Sequence, residues 1–281
     1  MLHRPTKTRA LAYVALAGLA WGTGGPTGAL LFQSSGLTST AISFWRLATG
    51  AAWLLLANRL FTRTPIRATF MAAPRQYIFT GLGLTACQLG YFAAIPRVGV
   101  AVATVVSLGA GPLFIAAATR ERITPALLLA VLGLTLLMTA PGAAITTSLP
   151  GILLSLLSAA GYATTTLLNR NHPAPTTTAL LGFTTAALAL LPLALLEGLI
   201  PHAASWPTLA YFGLIPTALA YTLFYTSLRT LTPSTAAVLA LLEPLTATAL
   251  AVVLFHEHPT PLTLTGAALL LTAVALKALR P

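Results

Sequence analysis

A chain of 281 residues that is 57% hydrophobic and 7% charged is not an ordinary soluble domain, in which about a quarter of residues carry charge. Its formal net charge of +11 does not point to nucleic acid, because the basic residues lie between apolar runs rather than on one water-facing surface. The lone Cys87 excludes a disulfide framework and a thiolate metal cluster, so the composition indicates a lipid bilayer as partner and neither nucleic acid nor a cofactor.

Taken in chain order, the basic start MLHRPTKTR followed by ALAYVALAGLA has the form of a secretory signal. No small-x-small cleavage site follows and the apolar character continues to Phe32, so the segment is read as a first membrane helix over 10–31. It carries Trp21, Thr23 and the breakers Gly24, Gly25 and Pro26. The second helix, 38–58, holds Trp45 and Arg46, an intramembrane cation of the costly kind that defaults to function or pairing. Next come 76–95 with Gln88 and Tyr91, 99–119 with Ser107 and the breaker GAGP ending at Pro112, 125–141, and 150–169 with Tyr162. The last four are 176–196, 206–228 with Tyr221 and Tyr225, 234–255 interrupted by Glu243 and Pro244, and 260–278. Runs of this length suit about 30 Å of hydrocarbon.

The expected fold is therefore an all-α membrane protein of ten transmembrane helices. Lys and Arg collect at alternate connections: Arg4, Lys7 and Arg9, then Arg59, Arg63, Arg67 and Arg75, then Arg120 and Arg122, Arg170, Arg229, and finally Lys277 and Arg280. By the positive-inside rule these ends are cytoplasmic, which puts both termini inside. Arg97 is the exception on the other side, and comparing the halves accounts for it. At one constant offset Phe92, Arg97 and Pro112 match Phe224, Arg229 and Pro244. An odd number of helices per half gives the halves opposite orientations, so Arg97 is the outward-turned counterpart of Arg229. Residues 1–145 and 146–281 are thus read as two inverted five-helix repeats, an organisation typical of secondary transporters.

The block AYTLFYTSLRTLTPSTAAVLALLEPLTATALAVVLFHEHPTPLTLTGAALLL, residues 220–271, resembles an EamA-type repeat of the drug/metabolite transporter superfamily. The likeness rests on a Tyr-containing helix, a small-residue helix ending in Glu-Pro-Leu, a later Glu and a following Gly. The first half is similar but more degenerate, with AWGTGG, FWRLATGAA, and GAGPL in place of LLEPL, so that Gly111 replaces the acid. The resemblance implies ten helices with both ends in the cytoplasm, a multi-pass inner-membrane location and export of small metabolites, with bacterial amino-acid exporters as the nearest subgroup.

Candidate substrate contacts are the mid-span residues Trp21, Trp45, Gln88, Tyr91, Ser107, Tyr162, Tyr221, Tyr225 and Glu243, because pockets favour aromatic linings with a few polar groups. Trp206, at the start of its helix, reads as an interfacial belt residue. Gly24, Pro26, Pro112 and Pro244 free backbone groups that only protein or water can satisfy, which suits helix breaks at a site. Gly18/Gly22 and Gly24/Gly28 equally fit close helix packing. No Lys lies centrally in a span, which disfavours an anionic substrate and suits a neutral or zwitterionic amino acid or similar metabolite. Glu243 has three open roles: orienting a substrate amino group, carrying a proton, or bracing the broken helix by pairing with Arg46. An intramembrane enzyme is the rival class, but His256-Glu257-His258 lacks the spacing of a zinc protease motif, no Ser has a base at hand, and no phosphate-binding loop for ATP is present. A passive channel and an exporter of other metabolites or drugs are the remaining alternatives.

Overall fold

The computed structural model describes residues 4–139, 148–255 and 258–279. The expected division between residues 145 and 146, and His256-Glu257, lie outside the described residues. All regular structure among the described residues is helical. Seven helices are long and apolar enough to cross a membrane, and Pro125–Met138 is a shorter apolar one.

Helix α1 (Lys7–Gly22) and α2 (Gly24–Ser34) are separated at Thr23, next to the Gly-Gly-Pro breaker. Helix α3 (Ser39–Ala57) runs into a π-helical turn, and a short exposed helix, α4 (Ile66–Ala72), follows within the basic connection. Sequence reading gave no sign of α4, whose inward face is only half-buried, with Ile66 against the core and Phe70 stacked on Tyr77. Where two helices were expected, one helical run, α5 (Pro74–Thr119), spans 46 residues and contains a non-helical Gly99 at φ 79°. A straight helix of that length would measure about 70 Å, more than twice the hydrocarbon thickness. The chain folds back instead. Tyr91 Oη and Thr104 Oγ1, 13 residues apart, are 2.9 Å from each other, whereas a straight helix would hold them roughly 20 Å apart. Gly99 supplies the positive φ that this reversal needs.

The chain continues through α6 (Pro125–Met138), α7 (Leu149–Leu168), α8 (Pro175–Glu197) and α9 (Trp206–Gly213), which passes through a π-helical stretch at 214–219 into α10 (Ala220–Ser227). It ends with α11 (Pro233–Ala240), α12 (Leu242–Phe255) and α13 (Pro261–Leu279). Three starts share one local code: Thr124-Pro125, Thr232-Pro233 and Thr260-Pro261. Each Thr hydroxyl accepts from the backbone N–H three residues on, at 3.3, 3.2 and 3.1 Å. Pro at the first helical position lacks only a donor that would be orphaned there.

Helix α5 packs on α7 and α8, α1 on α10 and α12, α3 on α8 and α9, and α6 on α13. Several crossings bring backbone onto backbone at glycine. A Cβ at Gly161 of α7 would meet the Gly83 carbonyl of α5 and stand 2.7 Å from the Cys87 nitrogen; one at Gly133 of α6 would stand 2.7 Å from the Leu270 nitrogen of α13. With no hydrophobic drive between helices in lipid, such close approach supplies the association energy. Gly18 and Gly22 belong to this class, against Leu242 Cβ at 2.9 Å and the Glu243 carbonyl at 2.8 Å, whereas Gly28 has only ordinary contact with Phe212.

In the α7–α8 connection, His172 caps a helix whose N-cap residue, Ala174, cannot. Its Nδ1 accepts from the Ala174 N–H at 3.2 Å and lies 2.8 Å from Thr178 Oγ1. Burial holds the imidazole pKa below its ordinary value. The folded state therefore favours neutral His172, and its contribution to stability is full above about pH 6.5 and lost as pH falls through the lower folded-state value. Thermal unfolding between pH 8 and pH 5 should show a drop that is diminished in His172→Asn; equal drops in both would exclude this cap as its source.

Candidate functional site

The Glu-Pro interruption forms a real break. Helix α11 stops at Ala240, Leu241 has a non-helical ψ of 1°, and α12 begins at Leu242. Pro244 has no N–H for the Ala240 carbonyl, and that carbonyl packs over Gly18 of α1. Glu243 thus stands half-buried in the first turn of α12, where helix N–H groups lack internal partners. It lies within electrostatic reach of Arg46, Cys87, Tyr91, Tyr162 and Tyr221. These groups come from α3, both ends of the α5–α7 contact, α10 and α12, so the site joins both sequence halves.

An aromatic cluster adjoins it. Trp21 meets Tyr221 edge-on at 5.0 Å and Phe224 at 5.1 Å; Tyr221 in turn touches Phe183 at 5.2 Å and Tyr225 at 5.8 Å, and Tyr162 lies 6.0 Å from Phe224. Buried Tyr and Trp normally find a partner for their polar tip. Here the Trp21 Nε1 and the Tyr162 hydroxyl are buried without a hydrogen bond, while the Tyr225 hydroxyl lies beside Thr165 and Asn169. Thr166, beside the Tyr162 hydroxyl, donates to the Tyr162 carbonyl instead.

Arg46 does not form an ion pair with Glu243. Its Nε donates to Thr217 Oγ1 at 3.0 Å and its Nη2 to the Pro216 carbonyl at 3.2 Å, with the guanidinium 5.0 Å over the Phe212 ring. The π-helical stretch explains this arrangement. Wide turns and the missing Pro216 N–H upset the local ladder, so Thr217 Oγ1 donates to the Phe212 carbonyl at 2.7 Å and Arg46 takes the Pro216 carbonyl.

The other candidates, apart from Tyr91, are dispersed. Trp45 Nε1 donates to the Leu199 carbonyl at 2.8 Å, and its ring lies edge-on to Trp206 at 4.8 Å, at the α8–α9 connection. Ser107 donates to the Ser155 carbonyl of α7 at 3.2 Å, a helix-to-helix tie. Gln88 is buried in the first arm of α5. Tyr91 bonds Thr104 across the Gly99 reversal. Gly24 and Pro26 open α2, with Gly24 against Phe212 and Pro216. Pro112 is buried inside α5 beside Gly111, which faces the Tyr162 ring. Sequence reasoning did not single out Phe183, Phe212, Phe224 or Cys87 for the site, since an apolar residue facing the centre reads the same as one facing lipid.

The EamA-like transporter family matches residues 149–278. The chain is 30% identical over 278 residues to the "Uncharacterized transporter YwfM" of Bacillus subtilis (strain 168), an alignment covering 92% of this chain and 90% of that one. A solved crystal structure with 20% identity covers 99% of both chains at a TM-score of 0.76, a likeness of fold. The whole-chain relative and the family match over the second half together show that the chain belongs to the EamA-like transporter family of the drug/metabolite transporter superfamily.

Proposed function

We propose that the protein is a secondary transporter of the inner membrane that exports small neutral or zwitterionic metabolites, amino acids including aromatic ones, by alternating access. In this reading, ten helices form two inverted five-helix repeats with both termini cytoplasmic. The helix pairing supports it. Exchanging helix one with six, two with seven, and so on turns the α5–α7 contact into α1–α10 and the α3–α9 contact into α5–α8, while α3–α8 and α6–α13 map onto themselves; all six contacts exist.

The observation that carries the substrate assignment is the pair of unpartnered polar tips, Trp21 Nε1 and the Tyr162 hydroxyl, in the aromatic cluster that adjoins Glu243. Rings offer flat apolar contact, and the indole and phenol tips offer hydrogen bonds to a small solute. The scarcity of free cations fits a solute without net negative charge.

Tyr162→Phe tests this because it keeps volume and removes only the hydroxyl. An unsatisfied buried group costs stability, so the variant should be as stable as the parent or more stable by up to ~1 kcal/mol. If the hydroxyl serves the solute, amino-acid counterflow in proteoliposomes should fall about three- to tenfold. Trp206→Phe, at a 44% exposed position, should change neither. Undiminished counterflow in Tyr162→Phe would remove this hydroxyl from substrate recognition.

A further inference from the structure

We infer that Arg46 recognises a carboxylate of the solute, offering the free end of a guanidinium whose other edge the protein holds in place. The inference deepens the proposed function and rests on its reading of an amino-acid-like solute in the central site. An intramembrane cation is costly unless it is paired or serves a ligand. Among the described residues, Arg46 donates to neutral groups alone: Nε to Thr217 Oγ1 and Nη2 to the Pro216 carbonyl. Those two donors share one edge of the planar group. The other fork, formed by Nη1 and the second Nη2 hydrogen, carries no bond among the described residues. Two parallel N–H bonds of this kind match the two oxygens of a carboxylate. Arg46 is half-buried, with surface left for such a partner.

The held edge makes the free one rigid. Thr217 is fully buried and donates to the Phe212 carbonyl, which fixes the acceptor of Nε, and the Phe212 ring lies under the guanidinium. One turn further along α3 the two helices touch backbone to backbone, since a Cβ at Gly213 would stand 2.7 Å from the Gly50 nitrogen. A group positioned in advance by such packing loses less freedom on binding than a flexible one.

The charge of Arg46 reaches the central site from the α3 side. Glu243 of α12, Tyr221 of α10 and Cys87 of α5 lie within its electrostatic reach. Tyr221 in turn meets Trp21, whose buried Nε1 has no hydrogen bond. A carboxylate held by Arg46 thus leaves the rest of a small solute beside the aromatic rings. Charge balance selects the anion. One guanidinium neutralises one carboxylate, whereas a phosphate, with a charge of about −1.5 to −2, would keep an excess within reach of Glu243.

The test follows thermal unfolding of the full chain in neutral detergent during titration with phenylalanine, phenylalaninamide, 3-phenylpropionate or phenyl phosphate. Phenylalanine and 3-phenylpropionate should raise the unfolding temperature saturably, and phenylalaninamide, which lacks the carboxylate, should do so at least about tenfold more weakly. In Arg46→Gln the preference for phenylalanine over its amide should shrink to within about threefold; a merely bracing residue would leave that ratio unchanged, whatever its effect on stability. Arg46→Lys keeps the charge and loses the fork, and it carries the test if the Gln variant does not fold. It should bind 3-phenylpropionate at least about threefold more weakly than the parent and still prefer phenylalanine to the amide. An unchanged preference in Arg46→Gln, equal binding of 3-phenylpropionate by Arg46→Lys and the parent, or tighter binding of phenyl phosphate than of 3-phenylpropionate would overturn the inference. So would a parent that neither carboxylate stabilises. Binding of 3-phenylpropionate that depends on Arg46, without phenylalanine binding or counterflow, would keep the carboxylate site and end the amino-acid reading. Phenylalanine counterflow with an unchanged preference in Arg46→Gln would do the reverse.

Discussion

Glu243→Gln should fold normally, keep solute counterflow, and lose its response to an imposed pH gradient by at least about tenfold, the factor that corresponds to ~1.4 kcal/mol. Gln preserves the shape and hydrogen-bonding capacity of Glu and removes titration. Normal folding is expected because the carboxylate is not bound to Arg46, which instead donates to Thr217 and the Pro216 carbonyl. Removing one member of a true buried pair would strand the other charge at a cost of ~3–5 kcal/mol; here nothing is stranded. Loss of both counterflow and pH response in a well-folded variant would assign Glu243 to substrate binding or bracing. Transport unchanged at every pH would sink a functional role.

The largest loss of stability is expected from a single methyl group. Gly161→Ala places a Cβ against the Gly83 carbonyl and 2.7 Å from the Cys87 nitrogen. Both obstacles are backbone of the neighbouring helix, so no rotamer change relieves the clash, and α7 must separate from α5. A cost of about 3 kcal/mol, at the upper end for overpacking, is expected. Gly25→Ala is the matched control. A Cβ at Gly25 meets nothing within 4 Å, so the same substitution should be neutral or gain up to about 1 kcal/mol of helix propensity. Thermal unfolding in detergent should separate the two variants clearly; similar values would show that the α5–α7 crossing tolerates widening.

Features that depend on local covalent chemistry were legible from sequence: the break at Glu243-Pro244 and the break beside Gly24. Helix breaking is fixed by a missing N–H or Cβ, which sequence states outright. The reversal at Gly99 was placed to within a few residues but read as a gap between two helices, because nothing local says that helical geometry runs up to it from both sides. What each side chain faces was less legible. Trp21 and Trp45 look alike in sequence, yet one joins the aromatic cluster and the other ties to Leu199 and Trp206. The pairing of Arg46 was hidden for a different reason. Its partners arise from a π-helical stretch around Pro216, a backbone state that depends on the packing it helps to form. The family match covering only the second half agrees with the degenerate first half, where Gly111 faces Tyr162 in the place that Glu243 occupies opposite.

Helix α3 is riveted to α9 and the stretch after it along most of their contact. Arg46 grips Thr217 and the Pro216 carbonyl, Thr49 Oγ1 reaches the Leu209 carbonyl at 3.3 Å, and Trp53 Nε1 donates to the Ala210 carbonyl at 3.0 Å. Prising this seam open would leave a guanidinium and several carbonyls unmatched in a low-dielectric interior. The Trp21–Tyr221–Phe224 contact is made by ring faces and edges, and the buried Trp21 Nε1 has no partner to lose. One riveted helix comes from each sequence half. In the proposed alternating-access reading, the bodies that move against each other would therefore be composites drawn from both sequence halves, parting at the aromatic cluster rather than along the α3–α9 seam.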